Sequence, residues 1–484
     1  MPTPSSQVII AHAELESATS TCNCQENNDI SLSPVQRQPP PMDYGKDAWL
    51  FLAACFCMEA LLWGFASTFG VFQSYYSLHV PFNNSRNTAV IGTCAVVSKA
   101  TFPLSTFLNV VSIIILTVWL PNCKGIMYLG APIFFTMCKY YPEYQRIGCI
   151  TGLLGVCLAL GFASLAKNVT QLIISQGVLY GMSGCIAYSP CIILVDDWFT
   201  DKRKGFAYGV MWAGSGVGGA VLPIVTEQLL EHFGFRMTLR IFASSLLLLI
   251  APLVYFLKRR VAISESPRPP PLNLAFLMTP AFALFEICNI IEALGYFLPS
   301  IYLPSYARSI GASSGLDVLT VILFNVATVV GCVVMGYLID RYDATHCILL
   351  STVGSSLGVF LLWGFSISLP PLFMFSIVYG LFAGSYTSTW TGVTRDIINE
   401  KNSAEPSIVL ACLAAGRGMG NVASGPITGS LLHDRNGNAY PYVYAYSRDG
   451  YYAYGGRYGA LIIFTGITGF LGGGSYLARR LKWL

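Results

Sequence analysis

Trp198-Phe199-Thr200-Asp201-Lys202-Arg203-Lys204-Gly205-Phe206-Ala207-Tyr208-Gly209-Val210-Met211-Trp212-Ala213-Gly214-Ser215-Gly216-Val217-Gly218 sets three consecutive basic residues at the mouth of a long apolar, glycine-rich run. The basic residues suit an aqueous boundary and the run suits hydrocarbon, so the segment reads as the start of a membrane-spanning helix. Gly209, Ala213 and Gly216 fall on one face at helical spacing. Small residues on one face let two backbones approach closely, as a moving or a static helix interface requires.

Runs of this kind recur from Ala48 to Leu477. Of the 484 residues, 54% are hydrophobic and 11% charged, and the mean hydropathy is +0.58. A soluble domain carries more charge than this. The runs do not alternate as barrel strands do, so helices are expected, each satisfying its own backbone polar groups. The expected fold is an all-α membrane protein of twelve spans, in two six-helix bundles related by a pseudo-two-fold axis. The formal net charge of +4 gives no reason to expect a nucleic-acid partner. The cysteines lie mostly in apolar runs, as small hydrophobes.

Residues 1–46 read as a disordered cytosolic tail, 47–257 as the first bundle, 258–274 as a basic, Pro-rich cytosolic linker and 275–484 as the second bundle. The second span is split between Thr88–Val97 and Gly125–Cys138, each piece too short to cross alone. Residues 96–124 between them form an atypical insertion: a retained intron, or a genuine re-entrant or peripheral hydrophobic loop. With the tail inside, Lys202, Arg203, Lys204, Lys258, Arg259, Arg260 and Arg341 all face the cytosol, following the positive-inside pattern. The sequons at Asn83 and Asn168 then fall outside, where glycans are added.

Several polar groups are candidates for substrate or coupling contact. Glu59, Trp63 and Ser67 share a face of the first span, and Glu286, Asn289 and Tyr296 lie on the seventh near Pro299 and Pro304, which should interrupt it. Arg417, Asn421, Ser424 and Thr428 form a stripe on the eleventh. Tyr180, Tyr188, Tyr379, Tyr386 and Trp390 add aromatic lining or packing. An ionisable group at membrane depth belongs in a watered cavity or an internal pair, so Arg417 is read as a substrate contact or a structural ion pair. Glu292 points away from Glu286 and is assigned to another interface.

The segment from Trp198 resembles the fifth-span signature of the monocarboxylate porter family of the major facilitator superfamily, particularly its fungal members. Phe233-Gly234-Phe235-Arg236, Trp63-Gly64-Phe65 and Gly425-Pro426-Ile427-Thr428-Gly429 are similar to further family motifs. Gly336-Tyr337-Leu338-Ile339-Asp340-Arg341 resembles the superfamily's cytosolic gate motif, which implies that Asp340 and Arg341 act there with Lys202 and Arg203. The resemblance implies a secondary transporter of a small organic acid or related metabolite, working by alternating access. Animal lactate carriers hold charged residues where this chain has Ser67, Thr328 and Cys332, so proton symport is not inherited and a proton is only a candidate coupling ion. The alternative is efflux of a specialised metabolite. A non-transporting nutrient receptor is disfavoured by the short chain after Ala478.

No phosphate-binding loop, metal-ligand spacing or nucleophile motif appears, so neither a cofactor, a metal nor an enzymatic activity is expected. The plasma membrane is the first expected location, with the vacuole or another endomembrane the alternative.

Overall fold

The computed structural model describes residues 40–79, 123–260, 272–313, 315–400, 404–432, 454 and 458–481. The tail to residue 39, Asn83, the first piece of the second span, most of the 96–124 insertion, linker residues 261–271 and most of the tyrosine-rich stretch 440–458 lie outside the described residues.

The described residues are helical throughout, without a strand. We number the spans α1 Lys46–Ser67, α2 Cys123–Tyr140, α3 Gln145–Ser164 and α4 Val169–Trp198. Lys204–Leu253 is one continuous run except at Gly234, whose positive φ of 70° breaks it into α5 and α6. The second half holds α7 Pro280–Ser309, α8 Leu316–Ile339, α9 Ala344–Trp363, α10 Leu369–Glu400, α11 Pro406–Leu432 and α12 Gly459–Arg480. Ten of these segments are long and apolar enough to cross a membrane, one of them divided by Gly234, and α2 completes the twelve. Their outer faces expose Leu158, Phe162, Leu248, Leu361 and Phe470. Such a belt is expected where the surrounding solvent is hydrocarbon.

Three expectations need correcting. The sequence places the fifth and sixth spans near residues 205–226 and 239–257, whereas the two helices run on and meet at the single-glycine break of Gly234. The piece expected at Gly125–Cys138 is an 18-residue helix that starts at Cys123, within the 17–25 residues a span requires. The last two residues of the 96–124 segment therefore belong to α2. Finally, Pro299 and Pro304 lie inside an unbroken α7. The Tyr379 hydroxyl donates to the Tyr296 carbonyl at 3.2 Å and Ser300 Oγ to the Phe297 carbonyl at 2.8 Å. These bonds reach carbonyls beside Pro299, while the prolines themselves free those of Gly295 and Ser300, isolated losses that a packed membrane helix tolerates.

Two helix pairs carry most of the contact between the bundles, α5 with α8 and α2 with α11. They exchange under the two-fold relation between the halves. The glycines of α5 serve two contacts. A Cβ on Gly218 would sit 2.7 Å from Gly64 Cα on α1, inside the first bundle. A Cβ on Gly209 would strike the Cys332 carbonyl of α8 and come within 3.1 Å of Gly336 Cα, across the bundles. The close approach of α5 and α8 therefore depends on glycine.

Candidate functional site

Between the bundles, about midway along the spans, a set of aromatic rings surrounds three buried ionisable side chains. On the first bundle, Trp63 of α1 packs on Tyr128 of α2 (ring centroids 4.5 Å) and meets Tyr188 of α4 edge-on at 6.2 Å. The rings continue across the interface: Tyr128 to Trp390 at 6.3 Å and Trp212 of α5 to Trp390 at 5.9 Å. Edge-on and tilted pairs at these spacings are the preferred aromatic geometry.

Arg417 of α11 is 1% exposed. Its Nη1 donates to Glu292 Oε2 of α7 at 2.6 Å, so the pair is buried, hydrogen-bonded and internal to the second bundle. The guanidinium lies 4.1 Å from the ring centre of Tyr296, with Phe297 and Tyr386 both at 5.7 Å and Trp390 at 6.0 Å. Aromatic faces stabilise a desolvated cation. Its Nε and Nη2 have no partner in hydrogen-bond geometry, although the hydroxyls of Tyr128 and Tyr296 neighbour the guanidinium. The two nitrogens form one edge of a planar fork whose geometry matches a carboxylate.

On the other side, Glu59 of α1 is 4% exposed, and its Oε2 is also without a partner. The Tyr188 hydroxyl neighbours it without reaching hydrogen-bond geometry, and Lys124 at the start of α2 acts on it electrostatically. Lys124 Nζ also stands 5.7 Å above the Phe297 ring, which ties the start of α2 to α7.

The arrangement brings together Glu59, Trp63, Tyr188, Tyr296, Tyr386 and Arg417. Asn289 joins them through Trp390, whose Nε1 donates to Asn289 Oδ1 at 3.3 Å while Asn289 Nδ2 donates to the Leu413 carbonyl at 2.7 Å. Glu286 lies to one side, pressed against Gly416 and 3.5 Å from Asn289 Nδ2. Ser67 bonds back to the Trp63 carbonyl, and Tyr180 fastens α4 to the Leu62 carbonyl at 2.8 Å. Asn421 is buried one turn along α11 from Arg417. Thr328 donates to the Gly380 carbonyl at 3.2 Å and Cys332 to the Gly384 carbonyl at 3.4 Å. These two bonds bolt α8 to α10.

Glu292, Tyr128, Trp212 and Lys124 were missing from the sequence candidates. A signal for Glu292 was present, since it lies three residues after Asn289 and four before Tyr296, on their helix face. Tyr128 and Lys124 fell in or beside what read as half a span.

At the basic end, Asp340 after α8 accepts from the amides of Gly205 (2.7 Å) and Phe206 (2.8 Å) at the start of α5. An acid at a helix N-terminus meets unsatisfied amides and the favourable end of the dipole. Burial raises the Asp340 carboxyl above its ordinary range, while these two amides pull it back. Arg341 stacks on Tyr337 (4.0 Å), and Arg203 bonds the Tyr44 hydroxyl at 3.0 Å. Lys202 is exposed, and Lys204 pairs with Asp196 at 3.1 Å and Asp201 at 2.9 Å. Lys139 of α2 and Glu405 before α11 close the other pair at 2.5 Å. Asn168 is exposed and caps the start of α4, its Oδ1 accepting from Gln171 N at 2.9 Å.

The family model described as Major Facilitator Superfamily matches residues 128–286 and 285–482. The agnestins efflux protein AgnL12 of Paecilomyces divaricatus is 24% identical over 448 residues, 92% of this chain and 90% of that protein. Monocarboxylate transporter 12 of Xenopus laevis is 28% identical over 320 residues, 59% of this chain and 68% of that protein. The crystal structure of the human organic anion transporter MFSD10 (TETRAN) shares the fold, with a TM-score of 0.61 at 14% identity, over 90% of this chain and 99% of that one. Twelve spans in two bundles among the described residues and a family match along most of the chain agree: this is a multi-pass membrane transporter that belongs to the Major Facilitator Superfamily.

Proposed function

We propose that this transporter carries an organic acid, or a related metabolite with an acidic group on an apolar or aromatic body, by alternating access. The observation that carries the reading is the Arg417 guanidinium, whose Nε and Nη2 lack partners inside a wall of aromatic rings. A carboxylate docks on that edge through two parallel hydrogen bonds while Glu292 keeps Nη1. The rings of Trp63, Tyr128 and Trp390 receive the body of the substrate. Glu59, on the facing bundle, is the proposed proton-coupling group, with Glu286 as the alternative. Asn289, Tyr188 and Tyr386 shape the site, while Ser67, Tyr180 and Asn421 support it.

The basic end is proposed to face the cytosol. Asp340, Arg341, Lys202 and Arg203 would then form the inner gate, and Asn83 and Asn168 would be exposed to glycosylation, with the plasma membrane as the proposed location. A glycan on Asn168 Nδ2 leaves the capping Oδ1 in place. Efflux of a specialised metabolite is the second reading. The neutral Ser67, Thr328 and Cys332, the extent of the aromatic lining and the similarity to an efflux protein along most of both chains favour it.

Uptake of labelled aliphatic and aromatic acids into a strain lacking the gene and a strain expressing it, with and without a proton gradient, tests the first reading. Release of the same compounds from preloaded cells tests the second. Gene-dependent flux of neutral compounds alone, with every acid excluded, would overturn the assignment of Arg417 as an anion anchor.

A further inference from the structure

We propose that the outer face of the first bundle, between α3 and α6, binds one anionic phospholipid, its headgroup in a basic pocket at the basic end and an acyl chain in the groove beneath. Two adjoining cavities build the site. The first, of about 400 Å³, is lined by Arg146, Lys258 and Arg259 together with Glu143, Gln145 and Leu257. The second, of about 370 Å³, shares Arg146 and runs along the spans past Ile150, Leu154, Leu247, Ala251 and Tyr255. All five of these side chains are exposed. In a membrane their surroundings are acyl chains.

The two cavities differ in chemistry along one axis. Arg146 stands at their junction, its Nε 3.4 Å from the Leu257 carbonyl. Lys258 Nζ lies 3.7 Å above the Tyr255 ring, which holds the amine where groove meets pocket. Arg259 is committed to Asp197 at 3.3 Å, so Arg146 and Lys258 carry the attraction for the headgroup. Arg146, Lys258 and Arg259 outnumber Glu143 and Asp197, and the pocket remains cationic. Its level is also right, because α3 begins at Gln145 and the α6 helix ends at Leu253, where the spans leave the hydrocarbon. Basic pockets between spans on the cytosolic side suit anionic headgroups, and an adjoining apolar groove supplies the second half of a lipid.

Occupancy would bear on the gate region. Trp198 Nε1 donates to the Lys258 carbonyl at 2.8 Å, and Arg260 Nε to the Asp197 carbonyl at 2.8 Å. The residues beneath the headgroup are therefore fastened to the end of α4 that leads into α5.

The test uses the full chain, purified after equilibration with mixed phosphatidylcholine and phosphatidylserine, with retained lipid measured by mass spectrometry. Wild type should retain phosphatidylserine in preference to phosphatidylcholine. Each cation near the surface contributes about five-fold, so Arg146→Gln with Lys258→Gln should weaken retention by roughly twenty-five-fold. Ala251→Trp, which fills the groove and leaves the charges, should reduce it too, whereas Arg480→Gln, exposed elsewhere on the basic end, should not. Displacement of the retained lipid by inorganic phosphate would show a simple anion site and overturn the lipid assignment. So would equal retention by wild type and both pocket variants. Should the variants fail to stay monodisperse, wild type decides alone: no preference for phosphatidylserine rejects the proposal.

Discussion

Arg417 on α11 and Glu292 on α7 are joined by a 2.6 Å charge-assisted hydrogen bond with both side chains out of solvent. Removing one partner leaves the other charged and unpaired, which costs about 3–5 kcal/mol in a buried pair. Arg417→Gln and Glu292→Gln should each lower thermal stability in detergent, and the double variant should recover much of the loss. Anion transport should remain absent in the double variant, because the fork is gone. Recovery of both stability and anion transport would reduce Arg417 to a structural role.

Asp340→Ala leaves the amides of Gly205 and Phe206 without their acceptor. Hydrogen bonds to a charged group contribute about 1.5–3 kcal/mol when well shielded, and Asp340 is only half-buried, so a shift of about 1–2 kcal/mol toward the form open at the basic end is expected. Spin labels at the exposed positions 202 and 342 should report a longer mean distance. A pH test accompanies this. Because the carboxyl is raised in the closed form, closure takes up a proton. Its contribution is complete below the ordinary Asp value of about 3.9 and fades as pH rises through the raised value. That dependence should vanish in Asp340→Ala, and an unchanged pH profile would assign it to another group.

A side chain at Gly209 meets α8 backbone. Gly209→Val should separate α5 from α8, costing about 1–3 kcal/mol as overpacking does and blocking transport. Gly336→Ala should act the same way, since its Cβ would lie 3.0 Å from Gly209 Cα. Gly148→Ala and Gly161→Ala, where a Cβ meets nothing within 4 Å, are the matched controls. Equal transport by all four variants would show that α5 and α8 do not need this close approach.

What could be read from residues alone follows the range of each signal. Hydrophobic run length and the basic residues at Lys202–Lys204 are local and strong, and they placed the spans. The turn at Phe233–Arg236 was visible through its resemblance to a family motif, but its abruptness was not, since α5 and α6 meet through a single residue. The prolines of α7 misled for a physical reason. A proline removes one backbone bond without ending a membrane helix, and α7 is also held by tertiary contacts such as that of Tyr379, over eighty residues away in sequence, on the Tyr296 carbonyl. Glu292 was set apart because its partner is 125 positions distant. Such pairings depend on tertiary contact, and helical periodicity reports faces without reporting what they meet.

The Arg417–Glu292 pair lies wholly within α7 and α11, so a rocking motion carries it as one unit. Its two charges cancel, and transferring it through the membrane field does no net electrical work. A single elementary charge moved across the whole membrane would instead exchange about 2.3 kcal/mol for every 100 mV. For this pair, the empty carrier's return is therefore indifferent to voltage, and any electrogenic character must arise from the cargo, its companion ion or the charges on the facing bundle.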